Sequence, residues 1–389
     1  MLSRLAENLF WMGRYVERAE NTARLLDVNY HAMVEMPNLS KGILTEQWAP
    51  LLTITGDPES FRKNFDRADR NTVPEWLTGH RDNPSSIRAS LTLARENART
   101  LRDRISTEMW QSLNRAYLNL CTESDEDISL HAYCESVREA TALFFGLAES
   151  TLPRDLGWFI LRAGRHLERS DNVLRVLQVR YRQYQGNEPI VRGVETHRAT
   201  ALLKSMSAYE AFRKSHHSAL EPRRIAAFLL LDPNFPRSLR YSVGRVFECL
   251  REIDAQNPGV SSEPLRLSGW LNAQLVYMRG AEQVIDLEDP SLEALLGELA
   301  GISLAITRAY FENRPELIPQ HQSQYQQGFG PTPSRSQRQS QRQSQRQGRG
   351  QRQGQSQSQS QSGSSEQSQS QSQEQAHDEA VAHGLRQNG

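Results

Sequence analysis

Arginine, glutamate and asparagine recur in the same order at two places in the sequence. Residues 13–26 read GRYVERAENTARLL and residues 164–177 read GRHLERSDNVLRVL, so the two stretches align without gaps at an offset of 151 positions. A paired arginine can hold a carboxylate or phosphate group through two parallel hydrogen bonds, and a glutamate can act as a general base. The repeat therefore predicts either a site that binds an anionic group or a catalytic glutamate.

The spacing of these residues places them on one stripe of a helix. In the first stretch the stripe consists of Arg14, Glu17, Asn21 and Arg24, and in the second of Arg165, Glu168, Asn172 and Arg175. Steps of three and four residues keep side chains on one face of an α-helix. Three interpretations stay open: a buried structural ion-pair network, a functional polar cleft, and a solvated face. The solvated face is disfavoured, because charge alone would not retain arginine as arginine and asparagine as asparagine.

Each stretch also carries a glycine in the middle of its predicted helix. Glycine is unfavourable inside a helix, so Gly13 and Gly164 indicate that another backbone approaches closely there. The matched stretches suggest two similar halves related by a pseudo-two-fold axis, with each repeat helix near that axis.

The remaining pattern is helical throughout the first 315 residues. Predicted helices cover 3–33, 45–55, 58–69, 85–105, 107–122, 127–150, 155–184, 191–217, 221–230, 236–254, 262–285 and 290–313. Asn83 followed by Pro84 is expected to begin the fourth of these. The prediction is an all-α multi-helix bundle of long antiparallel helices over residues 1–315. Residues 316–389 are rich in Ser, Gln and Arg, and this low-complexity segment is expected to be a disordered tail.

Composition and charge restrict the classes of function. The formal net charge is zero, so no global attraction to nucleic acid or a membrane is expected. The most apolar segments, 141–148 and 225–231, are too short to span a bilayer, and the N-terminus lacks a signal peptide. Three cysteines without paired spacing fit a reducing compartment. We expect a soluble cytoplasmic protein.

Metal and nucleotide chemistry lack their usual patterns. A helical bundle can hold two metal ions through Glu-x-x-His pairs, but this pattern does not occur in residues 1–315, and its one match, Glu374 to His377, lies in the low-complexity segment. His31 and Glu35 share a helix face, yet nearby arginines would compete with a cation. P-loop, Gly-x-Gly-x-x-Gly and Gly-x-Ser-x-Gly patterns are also absent. Neither a metal nor a cofactor is expected.

Four segments of the chain resemble a known family. Residues 5–24, 146–158, 203–210 and 228–240 are similar to signatures of the bacterial alpha-E family, and the resemblance covers residues 1–313. Its motif positions, together with the repeat stripe and the helix around 204–213, give the candidate residues of a polar cleft. These are Glu7, Arg14, Glu17, Arg18, Glu20, Asn21, Arg24, Arg165, Glu168, Arg169, Asn172, Arg175, Tyr209 and Glu210.

The resemblance implies a functional context. Members of this family are typically encoded beside, or fused to, a circularly permuted ATP-grasp protein, and peptidases can be encoded nearby. The implied role is a helical accessory or binding module that works with an ATP-grasp-type ligase in ATP-dependent amide or peptide bond formation, or in peptide tagging. A peptide substrate is compatible with this role.

Two alternatives are kept. One is an autonomous enzyme in which Glu17 or Glu168 acts as general base while Arg14 or Arg165 holds a peptide or carboxylate substrate. A neighbouring arginine lowers the pKa of a glutamate, so this arrangement favours binding over catalysis. The other is binding of RNA or an acidic partner by the six arginines between residues 335 and 352. It is disfavoured because no aromatic residues interleave with them.

Overall fold

A computed structural model describes residues 3–34, 47–56, 58–122, 128–185, 192–216, 220–257, 262–278 and 290–312. Within these ranges every regular element is a helix, as predicted. The α-helices are α1 Ser3–Val34, α2 Ala49–Thr55, α3 Pro58–Asn64, α4 Thr72–Gly79, α5 Ile87–Thr100, α6 Thr107–Tyr117, α7 Leu130–Thr151, α8 Leu156–Gln185, α9 Arg192–Ser205, α10 Tyr209–Ser215, α11 Pro222–Leu231, α12 Leu239–Gln256, α13 Glu263–Tyr277 and α14 Pro290–Ile306. Short π-helical turns, Leu118–Thr122 and Thr307–Phe311, extend α6 and α14.

Side-chain caps determine where several helices begin. Ser86, Ser106, Ser129 and Ser238 each precede a helix and accept a hydrogen bond from the backbone N–H three residues later. The prediction that Asn83 caps α5 is wrong, because the Asn83 amide instead donates to the carbonyl of Trp76 and its oxygen accepts from the N–H of Ser85. Asn83 thus closes the turn before α5, and Ser86 caps the helix.

The two longest helices, α1 and α8, pack against each other and run in the same direction. Gly13 lies against Leu161 and Arg165 near the start of α8, and Arg180 further along α8 donates a hydrogen bond to Asn29 near the end of α1. The expectation that long helices are antiparallel is therefore wrong for this pair. Six helices, α2 to α7, lie between them in the described part of the chain, so the chain can return to the same end before α8 begins.

The other helices surround this pair. Helices α5 and α7 pack on α1, and α12 and α14 pack on α8. Large buried side chains such as Phe10, Phe144 and Leu26 fill the space between them. As a result, α1 is covered on several sides, including the side that carries its charged stripe.

Two segments differ from the predicted helices. The helix predicted at 191–217 is interrupted, because Ser207 adopts a left-handed backbone conformation with φ 51° and separates α9 from α10. Helix α4 was not predicted. Its sequence, TVPEWLTG, is too short for periodicity to distinguish it from a loop.

Among the described residues, one helix is apolar enough by length and composition to cross a membrane. Leu292–Phe311 has a mean hydropathy of 1.3 over its most apolar window, and the sequence pattern did not predict a span there. Core helices of soluble proteins can have the same length and composition. Leu295, Leu299 and Ile302 pack against the rest of the helical unit, and a third of the apolar window is buried.

By contacts the chain divides into Met1–Glu316 and Leu317–Gly389, and all described residues belong to the first unit. The predicted disordered tail lies outside the described residues, as does Glu35.

Candidate anion-binding site at the crossing of α1 and α8

Two glycines allow the backbones of α1 and α8 to touch. A Cβ atom at Gly13 would lie 2.3 Å from the carbonyl oxygen of Leu161, and one at Gly164 would lie 2.2 Å from the carbonyl oxygen of Phe10. No side chain larger than hydrogen fits at either position without separating the helices. The predicted close approach of another backbone is thus confirmed at both glycines.

Charged residues next to this crossing form reciprocal ion pairs between the two helices. Arg14 and Arg18 of α1 donate to the carboxylate of Glu168, with Nε–Oε distances of 2.6 Å each. Conversely, Arg165 and Arg169 of α8 donate to the carboxylate of Glu17, over 3.2 and 2.6 Å. Each glutamate is therefore held by two arginines of the opposite helix.

These reciprocal contacts have the form expected around a two-fold axis between α1 and α8. Arg18 contacts Glu168, and the residues that match them in the repeat, Arg169 and Glu17, contact each other in the same way. The contacts concern these two helices alone. The relation between the complete halves of the domain therefore stays a prediction.

Burial and ionisation decide between the three interpretations of the stripe. Glu17 is fully buried, and Glu168 and Arg169 are buried to more than nine tenths. The solvated-face interpretation is wrong, and the buried ion-pair network describes the centre of the stripe. A lone buried carboxylate would be costly, but each of these has enough charge-assisted hydrogen bonds to remain ionised.

The two carboxyl groups are stronger acids than usual. Burial raises the pKa of Glu17, but Arg169, Arg237 and Arg165 outweigh it and lower the pKa to about 2. For Glu168, burial likewise raises the pKa, whereas Arg14 and Arg18 lower it to about 2. Such carboxylates are weak bases, so neither residue suits general-base catalysis near neutral pH.

Acid is expected to destabilise the protein through these two groups. Their pKa falls from 4.5 in the unfolded chain to about 2 in the folded one, so their contribution is complete above pH 4.5 and is lost as the pH falls from 4.5 to 2. Each group adds up to about 1.4 kcal/mol per pH unit to the slope of unfolding free energy in this window. Urea unfolding measured across pH 2–5 should show a shallower slope for Glu168→Gln than for the wild type; equal slopes would contradict this.

A third element closes one side of the ion-pair network. Arg237, immediately before α12, donates to both carboxylate oxygens of Glu20 and to the side-chain oxygen of Asn21, and it lies 3.6 Å from Glu17. Arg24 also pairs with Glu20. Arg237 lies at a helix start, and nothing in its local sequence pairs it with Asn21 and Glu20, which are 216 and 217 positions earlier.

The other side of the crossing is open. A cavity of about 380 Å³ lies between α1 and α8, closed by the end of α2 and the turn before α5. Asp171 and Asn172 line it at the positions that match Glu20 and Asn21 in the repeat, and no counterpart of Arg237 is among its lining residues. The ion-pair network is thus covered by the Arg237 guanidinium on one side and borders this cavity on the other.

The lining of this cavity is rich in hydrogen-bond donors. Arg14, Arg18 and Arg175 line it together with two carboxylates, Glu168 and Asp171, which leaves one net positive charge. Arg175 pairs with Asp171 at 2.6 Å, yet two fifths of its side chain is exposed. Gly56, with a φ of 108°, ends α2 beside the Arg175 guanidinium. An Arg175 so placed can still donate to a ligand.

One buried donor in the lining lacks an acceptor. The side-chain oxygen of Asn21 accepts a hydrogen bond from Arg237, which fixes the orientation of the amide, and its Nδ2 has no partner although Asn21 is 95% buried. This Nδ2 is itself buried, so the donors within reach of a ligand are those of the lining arginines, Arg175 above all. With its net positive charge and exposed guanidinium, the cavity suits the oxygen of a carboxylate or phosphate group.

Three of the sequence candidates lie outside this arrangement. Glu7 is exposed on the first turns of α1. Tyr209 and Glu210 begin α10, and Glu210 lines a separate cavity with His197 and Asp27. They share no ion pair with the crossing among the described contacts. The helix around residues 204–213, which was predicted to contribute residues to the polar cleft, does not take part in the described crossing.

Comparison with known proteins agrees with this geometry. Residues 1–311 match the family model Alpha-E, described as "a predicted alpha-helical domain with a conserved ER motif". The sequence contains two Glu-Arg dipeptides, Glu17-Arg18 and Glu168-Arg169. In the structure the arginine of each dipeptide binds the glutamate of the other.

Curated relatives extend beyond this domain. An uncharacterized protein of Mycobacterium bovis and two of Mycobacterium tuberculosis are 28% identical over 324 residues, which covers 78% of this chain and 35% of each relative. The chain thus spans about a third of the length of these relatives. No solved structure shows a significant match.

Proposed function

This chain belongs to the alpha-E family, and we propose that it is a binding module that works with an ATP-grasp-type ligase in amide or peptide bond formation or peptide tagging. In this proposal the cavity between α1 and α8 holds a carboxylate of the peptide substrate. The partner supplies ATP and the chemistry of bond formation. The module acts in the cytoplasm, where ATP is abundant.

The observation that carries the proposal is the partly exposed guanidinium of Arg175 in a cavity lined by three arginines and two carboxylates. The cavity of about 380 Å³ is large enough for the end of a peptide. A carboxylate accepts two or more hydrogen bonds at once, and charge-assisted bonds of this kind are the stronger class.

The ionisation of the glutamates favours binding over an autonomous enzyme. Glu17 and Glu168 are paired with five arginines and have pKa values of about 2, so they hold the arginines in position and are too weakly basic to accept a proton from a substrate. Support also comes from the length of the relatives, in which the matched region is one part of a longer chain.

Binding of a peptide with a free C-terminal carboxylate tests the cavity directly. Calorimetry is expected to show binding of this peptide and weaker binding of its amidated form. Arg175→Ala should weaken binding of the free acid by about tenfold or more, because a hydrogen bond between charged groups is lost. The matched control is Arg266→Ala, which removes an arginine from an exposed ion pair on α13 without touching the cavity.

Affinity purification of the full chain from its own cells tests the partner. A stoichiometric ATP-grasp-type ligase identified by mass spectrometry would support the proposal. If no such ligase co-purifies and the free and amidated peptides bind equally, the proposed function is wrong.

A further inference from the structure

A second group of polar side chains lies further along α1, away from the glycine crossing. Asp27 and His31 are one helical turn apart on α1, and His131 reaches them from the first turn of α7, 104 positions later than Asp27. Their ligand atoms are the Asp27 Oδ1, the His31 Nε2 and the His131 Nδ1. No metal was predicted from the sequence because the helical region lacks Glu-x-x-His pairs, whereas this group joins two distant helices.

The three atoms converge on one point. The Asp27 Oδ1 lies 2.6 Å from the His131 Nδ1 and 3.4 Å from the His31 Nε2, and the two ring nitrogens are 3.1 Å apart. In a tetrahedral site with bonds of about 2.0–2.1 Å, neighbouring ligand atoms are about 3.4 Å apart. The Asp27–His131 pair would have to open by about 0.8 Å and the two ring nitrogens by about 0.3 Å for all three atoms to bind a single ion.

Without an ion, the three groups form a hydrogen-bonded cluster in which a proton on the His131 Nδ1 is donated to the Asp27 Oδ1, and the His31 Nε2 can present its lone pair. A cation would take the place of the shared proton and accept a lone pair from each of the three atoms. His31 and His131 are nearly half exposed, so an ion can enter, while the Asp27 carboxylate is 7% exposed and anchors the group.

Neighbouring residues orient the carboxylate. The guanidinium of Arg138 lies 3.5 Å from the second oxygen of Asp27, Oδ2, which leaves Oδ1 for the cluster. Such outer partners commonly fix the ligands of protein metal sites. Arg24, Arg138 and Lys204 also make the surroundings positive, with Glu210 opposing them. Charge attraction alone would thus not retain a cation, and an ion that prefers imidazole nitrogen, such as Zn²⁺, is favoured over Mg²⁺ or Ca²⁺.

Asp27 and His31 also line a cavity of about 340 Å³, whereas His131 is not among its lining residues, so a fourth position opposite His131 would open into this cavity. Arg24, Arg138 and Lys204 of the same lining carry positive charge, which suits an anionic ligand in that position. Three protein ligands with an open fourth position is the arrangement of catalytic zinc sites.

We propose that Asp27, His31 and His131 form a site for one zinc-type divalent ion whose fourth position opens into this cavity and takes an anionic ligand. The site is separate from the cavity at the α1–α8 crossing and does not depend on the proposed function.

The test uses the full chain after dialysis against a chelator. Zn²⁺ is titrated by calorimetry, and Co²⁺ is added as a spectroscopic probe of four-coordinate geometry. The wild type should bind one equivalent of Zn²⁺ with a higher affinity than any further equivalents. Its Co²⁺ complex should show the strong visible absorption of a tetrahedral site. His131→Gln and His31→Gln should each lose this absorption and weaken the tight equivalent by about 100-fold or more.

The matched control is His80→Gln, which removes a histidine that packs on Phe65 and Trp76 elsewhere in the domain. It should keep the tight equivalent and the tetrahedral spectrum. Circular dichroism establishes that each variant is folded. An unchanged tight equivalent in both His31→Gln and His131→Gln, or a wild-type spectrum that lacks tetrahedral absorption, would overturn the proposal.

Discussion

Glu17→Gln is expected to lower the free energy of unfolding by about 3–5 kcal/mol, the cost typical of removing one partner from a buried ion pair. Glu17 is fully buried and faces Arg165, Arg169 and Arg237. Glutamine has almost the same shape, so packing is retained while the three guanidinium groups lose the charge that compensates them. Equilibrium urea unfolding measures the effect.

Two comparisons make this result specific. Glu168→Gln should cost less, because Glu168 faces two arginines and borders the open cavity, where water can solvate them. Glu263→Gln breaks an exposed pair with Arg266 and should cost at most about 1 kcal/mol. If Glu17→Gln were no more costly than Glu263→Gln, the network would not be the buried structure described above.

Gly13→Ala is expected to destabilise the domain by about 2 kcal/mol or more, although alanine is the better helix former. The new Cβ would lie 2.3 Å from the carbonyl oxygen of Leu161, a backbone atom that cannot rotate away. The two helices must separate, which lengthens the ion pairs beside the crossing. Overpacking of this kind usually costs about 1–3 kcal/mol even where the neighbours are side chains.

Gly146→Ala provides the matched control. Gly146 lies on α7, and a Cβ atom there would meet no other atom within 4 Å. Alanine should therefore raise the free energy of unfolding at this position by up to about 1 kcal/mol through helix propensity. Opposite signs for the two substitutions in thermal or urea unfolding would establish the backbone contact. An unchanged or raised stability of Gly13→Ala would contradict it.

The sequence was sufficient to predict the helical class, the close contact at both glycines and a geometric reason for the repeated arginines. Each rests on a local rule: the period of apolar residues, the cost of glycine in a helix, and the difference between arginine and other charges. The same rules identified Glu17 and Glu168 but could not pair either with its partners, because those lie on another helix.

What the sequence could not predict depends on how distant segments meet. Arg237 completes the environment of Glu20 from a position 217 residues later, and its local pattern resembles any helix start. Likewise, His131 joins Asp27 only because α7 packs beside the end of α1. The predicted antiparallel arrangement of α1 and α8 was wrong for the same reason. Helices joined by short connections are usually antiparallel, but several helices lie between α1 and α8 in the chain.

The reciprocal ion pairs also affect when parts of α1 can become buried during synthesis. Glu17 leaves the ribosome 152 residues before Arg169, an interval of about 8–30 s at ordinary elongation rates. Throughout that interval its carboxylate lacks the arginines of α8 that make its burial favourable. Helices α5 and α7 can pack on α1 before α8 is made, but the charged stripe of α1 has to stay in contact with water until α8 emerges.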